Sequence, residues 1–184
     1  MQATKKSKVW AAVVRQFGKP TGTWGALAGL VMSRRQSNRQ RNDWTLDLLD
    51  IRPADRVLEL GFGPGLGIRG AAERVKLHLA SVDALPDFPA QFDKIFGVNV
   101  HMFWSDAAAV IAELLVLLQP GGTLALTFQP RKPGATSADT ERAADELSDL
   151  LDRGGFEQVR AEVLELTPSA VCVLGSSGPA ILNA

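Results

Sequence analysis

The chain has 184 residues, 46% of them apolar, with Lys and Arg exactly balanced by Asp and Glu, so a single domain over 1–184 with one substantial core is expected. No apolar run approaches a membrane span, and Arg15 interrupts the patch after Lys5, Lys6 and Lys8 before it reaches signal-peptide length. The lone Cys172 excludes an internal disulfide and fits a reducing compartment, the cytoplasm.

Charge is unevenly spread. Residues 1–42 hold Lys5, Lys6, Lys8, Arg15, Lys19, Arg34, Arg35, Arg39 and Arg41 with no Asp or Glu. Such asymmetry permits nucleic-acid or anionic-surface binding, but no known nucleic-acid module accompanies it, so a solvated helical face is expected and no nucleic-acid partner. Gly18 to Gly29, with Pro20 and four glycines, reads as loop. Leu30 to Asp50 reads as helix, with Met32, Trp44, Leu48 and Leu49 as its buried positions.

The turn Arg52-Pro53-Ala54-Asp55 leads into an apolar strand at 56–61 that ends in glycine at every second position: Gly61, Gly63, Gly65 and Gly67. Glycine accepts positive φ and lets a ligand approach the main chain, and the free N–H groups of a helix at 66–75 would face that ligand. Glu59 stands two residues before the first glycine. The spacing Gly-x-Gly-x-x-Gly of a dinucleotide-binding turn is absent here, which disfavours a nicotinamide oxidoreductase.

Further strands are expected at 76–82, 92–99, 123–128, 157–165 and 170–175, and further helices at 106–118 and 138–153. His78, inside the first of these strands, reads as structural. Ser105 or Asp106 is the N-cap of the helix at 106–118, Pro120-Gly121-Gly122 stops it, and Gly154-Gly155 ends the helix at 138–153. Thr167-Pro168-Ser169 separates the last two strands, which are expected to pair antiparallel, with Cys172 at a buried position.

The segment Glu59-Leu60-Gly61-Phe62-Gly63-Pro64-Gly65, then Asp83-Ala84-Leu85-Pro86, then Phe92-Asp93-Lys94-Ile95-Phe96, then Leu118-Gln119-Pro120-Gly121-Gly122 follow one another in an order that resembles the class I S-adenosylmethionine-dependent methyltransferases over roughly Asp43 to Gly175. The resemblance implies an α/β fold: a Rossmann-like, mostly parallel sheet flanked by helices (51–184), an antiparallel C-terminal strand pair, and an N-terminal helical lid (1–50) with Trp24, Leu27, Leu30, Val31 and Met32 on its apolar face. It implies S-adenosylmethionine as cofactor, S-adenosylhomocysteine as product and a small-molecule methyl acceptor. Glu59, Gly61, Gly63 and Gly65 would border the cofactor's amino-acid end, Ser81, Val82 and Asp83 its adenine, and Asn99 would also contact it. Methyl transfer requires no metal and no covalent residue. His101, just after the strand at 92–99, is the candidate base or substrate contact. Phe103, Trp104, Phe128 and Gln129 are candidates for an apolar acceptor pocket.

One departure stands out. In the family, the helix after the glycine loop is followed by a second strand ending in an acid, another helix and then the third strand. Here Ala71 to Val75 runs straight into Lys76 to Val82. A parallel crossover needs about a dozen residues or more, so the expected second strand and its helix have no room. Two readings of Asp83 stay open: the family's turn beside the adenine, or a replacement ribose acid about twenty residues beyond the glycine loop. A shortened, non-catalytic relative that binds cofactor poorly is the alternative function.

Overall fold

The computed structural model describes residues 36–62 and 75–179. In chain order these form α1 (Gln36–Leu49), β1 (Val57–Leu60), β2 (Phe92–Val98), α2 (Ala107–Leu117), β3 (Leu118–Phe128), α3 (Ser137–Arg153), β4 (Glu157–Leu164) and β5 (Ala170–Ser176), with 3-10 turns at Val82–Ala84 and His101–Phe103. The sheet order is β1-β2-β3-β5-β4. Strands β1, β2 and β3 are parallel, whereas β5 runs antiparallel to both β3 and β4. This is the expected α/β sheet with its antiparallel C-terminal pair.

Alternation along the strands builds two cores. Leu124 and Leu126 of β3 join Ile95, Ile111, Leu114, Leu147 and Leu151 beneath α2 and α3, while Ala125 joins Phe96, Cys172, Leu174 and Leu49 beneath α1. Each Leu or Ile buried in this way contributes about 1.5–3 kcal/mol. The helix ends follow local chemistry. Asp106 Oδ1 accepts from the Ala109 N–H at 3.0 Å, Thr136 and Asp139 form a capping box on α3, and Gly154 closes that helix. A Cβ on Gly154 would meet Ile111 Cγ2 at 2.3 Å, so glycine is what lets α3 end against α2.

Two expectations need correction. Lys76 to Ser81 form no strand, and Leu77 and Leu79 are 63% and 107% exposed. A strand needs a neighbour for its N–H and C=O groups, and the unit that would lie between this segment and β1 is the one the sequence lacks. His78 is accordingly exposed and outside any strand, its ring edge-on to Phe88 at 5.5 Å. Strand β3 begins at Leu118, five residues before the expected start, absorbing Pro120-Gly121-Gly122 through a register shift against β2 between Phe92 and Lys94. In the doubly wound order 3-2-1-4-5-6 the first strand is interior. Among the described residues β1 is instead an edge strand.

Gly18 to Gly29, the start of the helix expected from Leu30, the lid's apolar residues, Gly63, Gly65 and residues 66–74 of the helix expected at 66–75 lie outside the described residues; Val75 has no regular structure. No helix among the described residues is long and apolar enough to cross a membrane.

Candidate active site

The carboxyl ends of β1 and β2 are locked together by one side chain. Gly61 adopts φ 62°, and a Cβ there would lie 2.6 Å from Val100 Cγ1; a Cβ on Gly97, the register partner of Leu60, would lie 2.4 Å from Val100 Cγ2. Val100 therefore occupies the space that both glycines leave. This packing fixes where the turn after β1 leaves the sheet, beside the turn after β2.

Glu59 sits just below that turn. Its register partner is Phe96, and it shares with Val57 the face that packs under α1. Its Oε2 is buried with no hydrogen-bond partner. Burial pushes the carboxyl from its ordinary 4.5 up to about 7. Such a group is an acceptor waiting for a donor, and a cationic donor suits it best.

Asn99 also adopts a left-handed conformation, φ 55°. Its N–H donates to Thr127 O at 2.8 Å and its Oδ1 accepts from the Gln129 N–H at 2.8 Å, so the side chain stitches the end of β2 to the end of β3. His101 opens the following 3-10 turn, edge-on to Phe128 at 5.1 Å and to Trp104 at 6.3 Å. Burial holds its pKa below 6.5, so at neutral pH the imidazole is uncharged and able to accept a proton. Trp104 and Phe128 are half-buried, whereas Phe103 is 61% exposed.

Ser81, Val82 and Asp83 form the first turn. Val82 packs against the same core as Leu58, Val100 and Trp104. Asp83 is exposed, and its carboxylate accepts from Ser81 Oγ at 3.3 Å while Ser81 Oγ caps the Asp83 N–H at 3.4 Å. The structure thus brings Glu59, Gly61, Asn99 and His101 to adjacent strand ends with Val82 in the core beside them, and folds the Asp83 carboxylate back on its own turn.

Sequence reasoning passed over a polar stripe on α1. Asn38, Arg41, Asn42 and Thr45 recur at helical spacing and face the sheet, where apolar residues are the rule. Arg41 is 3% exposed; it donates to Gln129 Oε1 and, at 2.7 Å, to Asn38 Oδ1, which also accepts from Arg131. Gln129 Nε2 donates onward to Pro168 O at 2.5 Å. Thr45 spends its one hydroxyl proton on Arg41 O at 2.7 Å, so at the 2.6 Å contact it accepts from Thr127. The signal was the i, i+3, i+4, i+7 repeat of polar residues. An open groove of about 780 Å³ lies at the same end of the sheet, lined by Thr136, Thr140, Asp145, Glu165 and Pro168 among others.

Comparison with known proteins agrees with this geometry. No protein-family model matches the chain. An uncharacterized methyltransferase, YdaC of Bacillus subtilis (strain 168), is 28% identical over 174 residues, covering 79% of this chain and 95% of that protein. Since 79% of 184 residues falls short of 174 positions, the relative carries residues within the matched region that this chain lacks. Among solved structures, the N-methyltransferase NodS from Bradyrhizobium japonicum WM9, in complex with S-adenosyl-L-homocysteine, superposes with TM-score 0.60 at 14% identity, covering 91% of this chain and 97% of that one. A SAM-dependent methyltransferase from Thermotoga maritima, described as a possible histamine N-methyltransferase, gives TM-score 0.57 at 19% identity over 76% of this chain and 89% of that one.

Proposed function

From a chain that fits the class I S-adenosylmethionine-dependent methyltransferase family in its fold and its relative, we propose a methyltransferase that takes S-adenosylmethionine and a small-molecule acceptor. The observation that carries the reading is Glu59: a buried carboxylate oxygen with no partner, at the carboxyl end of β1, immediately before a turn whose first glycine is left-handed. Pocket-facing strand ends of this kind are where α/β sheets bind ligands. An unpartnered acceptor at such an end fits the ammonium of the cofactor's amino-acid tail.

When bound, S-adenosylmethionine supplies an electrophilic methyl on a sulfonium. The chain's own residues do the rest. Glu59 and the Gly61 turn hold the amino-acid end, and Ser81, Val82 and Asp83 border the adenine. Asn99 keeps the ends of β2 and β3 in fixed relation, so that the cofactor and acceptor meet in one geometry; orientation of this kind supplies about 7–11 kcal/mol of a displacement barrier. His101, neutral and flanked by Phe128 and Trp104, takes a proton from acceptors that must lose one. Helix α1, the described part of the proposed N-terminal lid (1–50), begins at the carboxyl end of the strands, where Arg41 meets Gln129. A buried, unpaired Cys172 suits a reducing cytoplasm.

Calorimetric titration with S-adenosylmethionine, S-adenosylhomocysteine and NAD tests the reading. Binding of the first two without NAD is the expected result, and NAD binding alone overturns it. A second reading is favoured by one observation, the position of β1 at the sheet edge. Among the described residues no strand brings a ribose acid beside it, and a chain that keeps the fold but binds S-adenosylhomocysteine only in the millimolar range would be a non-catalytic relative.

A further inference from the structure

Two buried polar atoms on the α1 face of the sheet have no hydrogen-bond partner, and they are chemically opposite. Glu59 Oε2 is an acceptor; Asn42 Nδ2 is a donor. Asn42 is only 7% exposed, and a buried amide donor left unpaired costs about 1–3 kcal/mol. Its direction follows from α1. Thr45, bonded to Thr127, and Leu49, packed on Phe96 and Ala125, mark the line of the helix that faces the sheet. Consecutive helical residues project about 100° apart, so Arg41 and Asn42 lie on opposite sides of that line. Arg41 goes to Gln129 beyond the end of β3. Asn42 therefore leans the other way, over β2 toward β1, which carries Glu59 on the same face.

We propose that Asn42 is a binding residue that donates to the α-carboxylate of the cofactor's amino-acid tail, across from Glu59, which accepts from its α-ammonium. The assignment rests on the methyltransferase reading and adds to it a residue from outside the glycine loop. An orphan donor and an orphan acceptor on one face of the sheet are what a zwitterion satisfies together: its carboxylate takes the amide proton and its ammonium gives one to the carboxylate. A dinucleotide phosphate satisfies the first and leaves Glu59 facing another anion. Selection for an amino-acid tail would thereby come from α1 and β1 together, which share this face of the sheet.

The test compares S-adenosylhomocysteine with 5′-methylthioadenosine, which has the same nucleoside and no amino-acid tail. Titrations use the full chain and its Asn42→Asp and Asn42→Ala variants. Asn42→Asp should weaken S-adenosylhomocysteine roughly tenfold or more, the loss of one hydrogen bond to a charged group made worse by carboxylate repulsion, and Asn42→Ala somewhat less. Both variants should bind 5′-methylthioadenosine as the unchanged chain does, which also reports that they fold. Equal weakening of the two ligands overturns the proposal, making Asn42 a support for the turn while leaving the methyltransferase reading intact. Failure of the unchanged chain to bind either nucleoside overturns the reading and this proposal with it.

Discussion

Val100 fills the space above Gly61: a Cβ added there would come within 2.6 Å of Val100 Cγ1, on a residue whose φ of 62° already disfavours any side chain. The turn after β1 is thus specified by a contact with the turn after β2. Gly61→Ala should destabilise the protein by about 1–3 kcal/mol, part from the left-handed backbone and part from the clash. It should also weaken S-adenosylhomocysteine. Adding Val100→Ala should restore the clash portion only, and a double-mutant cycle on urea midpoints measures the coupling.

Glu59 gives stability a pH dependence of definite sign. Its folded pKa is raised from 4.5 to about 7 by burial, so between those values the folded state holds a proton that the unfolded state has lost. The contribution is present below 4.5 and is lost as pH rises through about 7, a swing on the order of 3 kcal/mol. Glu59→Gln should flatten that dependence and make the protein more stable at pH 8. Cofactor affinity should move the opposite way in the unchanged chain, rising as the carboxylate ionises. Denaturation and titration at pH 5.5 and 8 check both signs.

The hydroxyl relay between α1 and β3 should behave as a unit. Thr127 donates to Thr45 at 2.6 Å and Thr45 donates to Arg41 O at 2.7 Å, all buried. Thr45→Val removes the middle member and leaves Thr127 without this acceptor, so it should cost about 1–3 kcal/mol. Thr127→Val leaves the Thr45 bond to Arg41 O intact and should cost less. The double substitution should cost less than the two singles together, read from thermal or urea unfolding.

Asp83 distinguishes the two registers left open by the sequence. Its carboxylate accepts from Ser81 within an exposed 3-10 turn, and no strand carries it toward β1. Asp83→Asn should therefore change affinity for S-adenosylhomocysteine and for its 2′,3′-dideoxy analogue alike. A loss confined to the ribose-bearing ligand, on the order of 1–3 kcal/mol, would show that Asp83 replaces the missing ribose acid.

Local chemistry was legible in the sequence. The positive φ of Gly61 after the strand at 56–61, the strand at 92–99, the Asp106 cap and the Gly154 stop depend on φ preference, apolar runs and capping within a few residues, and each stands in the structure. The adjacency of Glu59, Gly61, Asn99 and His101 was legible too, because parallel strands bring their carboxyl ends together whatever lies between them. What the chain could not declare by itself was anything needing a partner distant in sequence. Lys76 to Val82 alternate like a strand, yet backbone groups without a neighbouring strand gain nothing by extending, so only the assembled sheet decides against them. The polar stripe of α1 reads as solvent-facing until Thr127 and Gln129 meet it. The Glu59 carboxyl is ordinary in sequence and raised only once α1 and the sheet exclude water from it, because desolvation belongs to the packed protein and not to the residue.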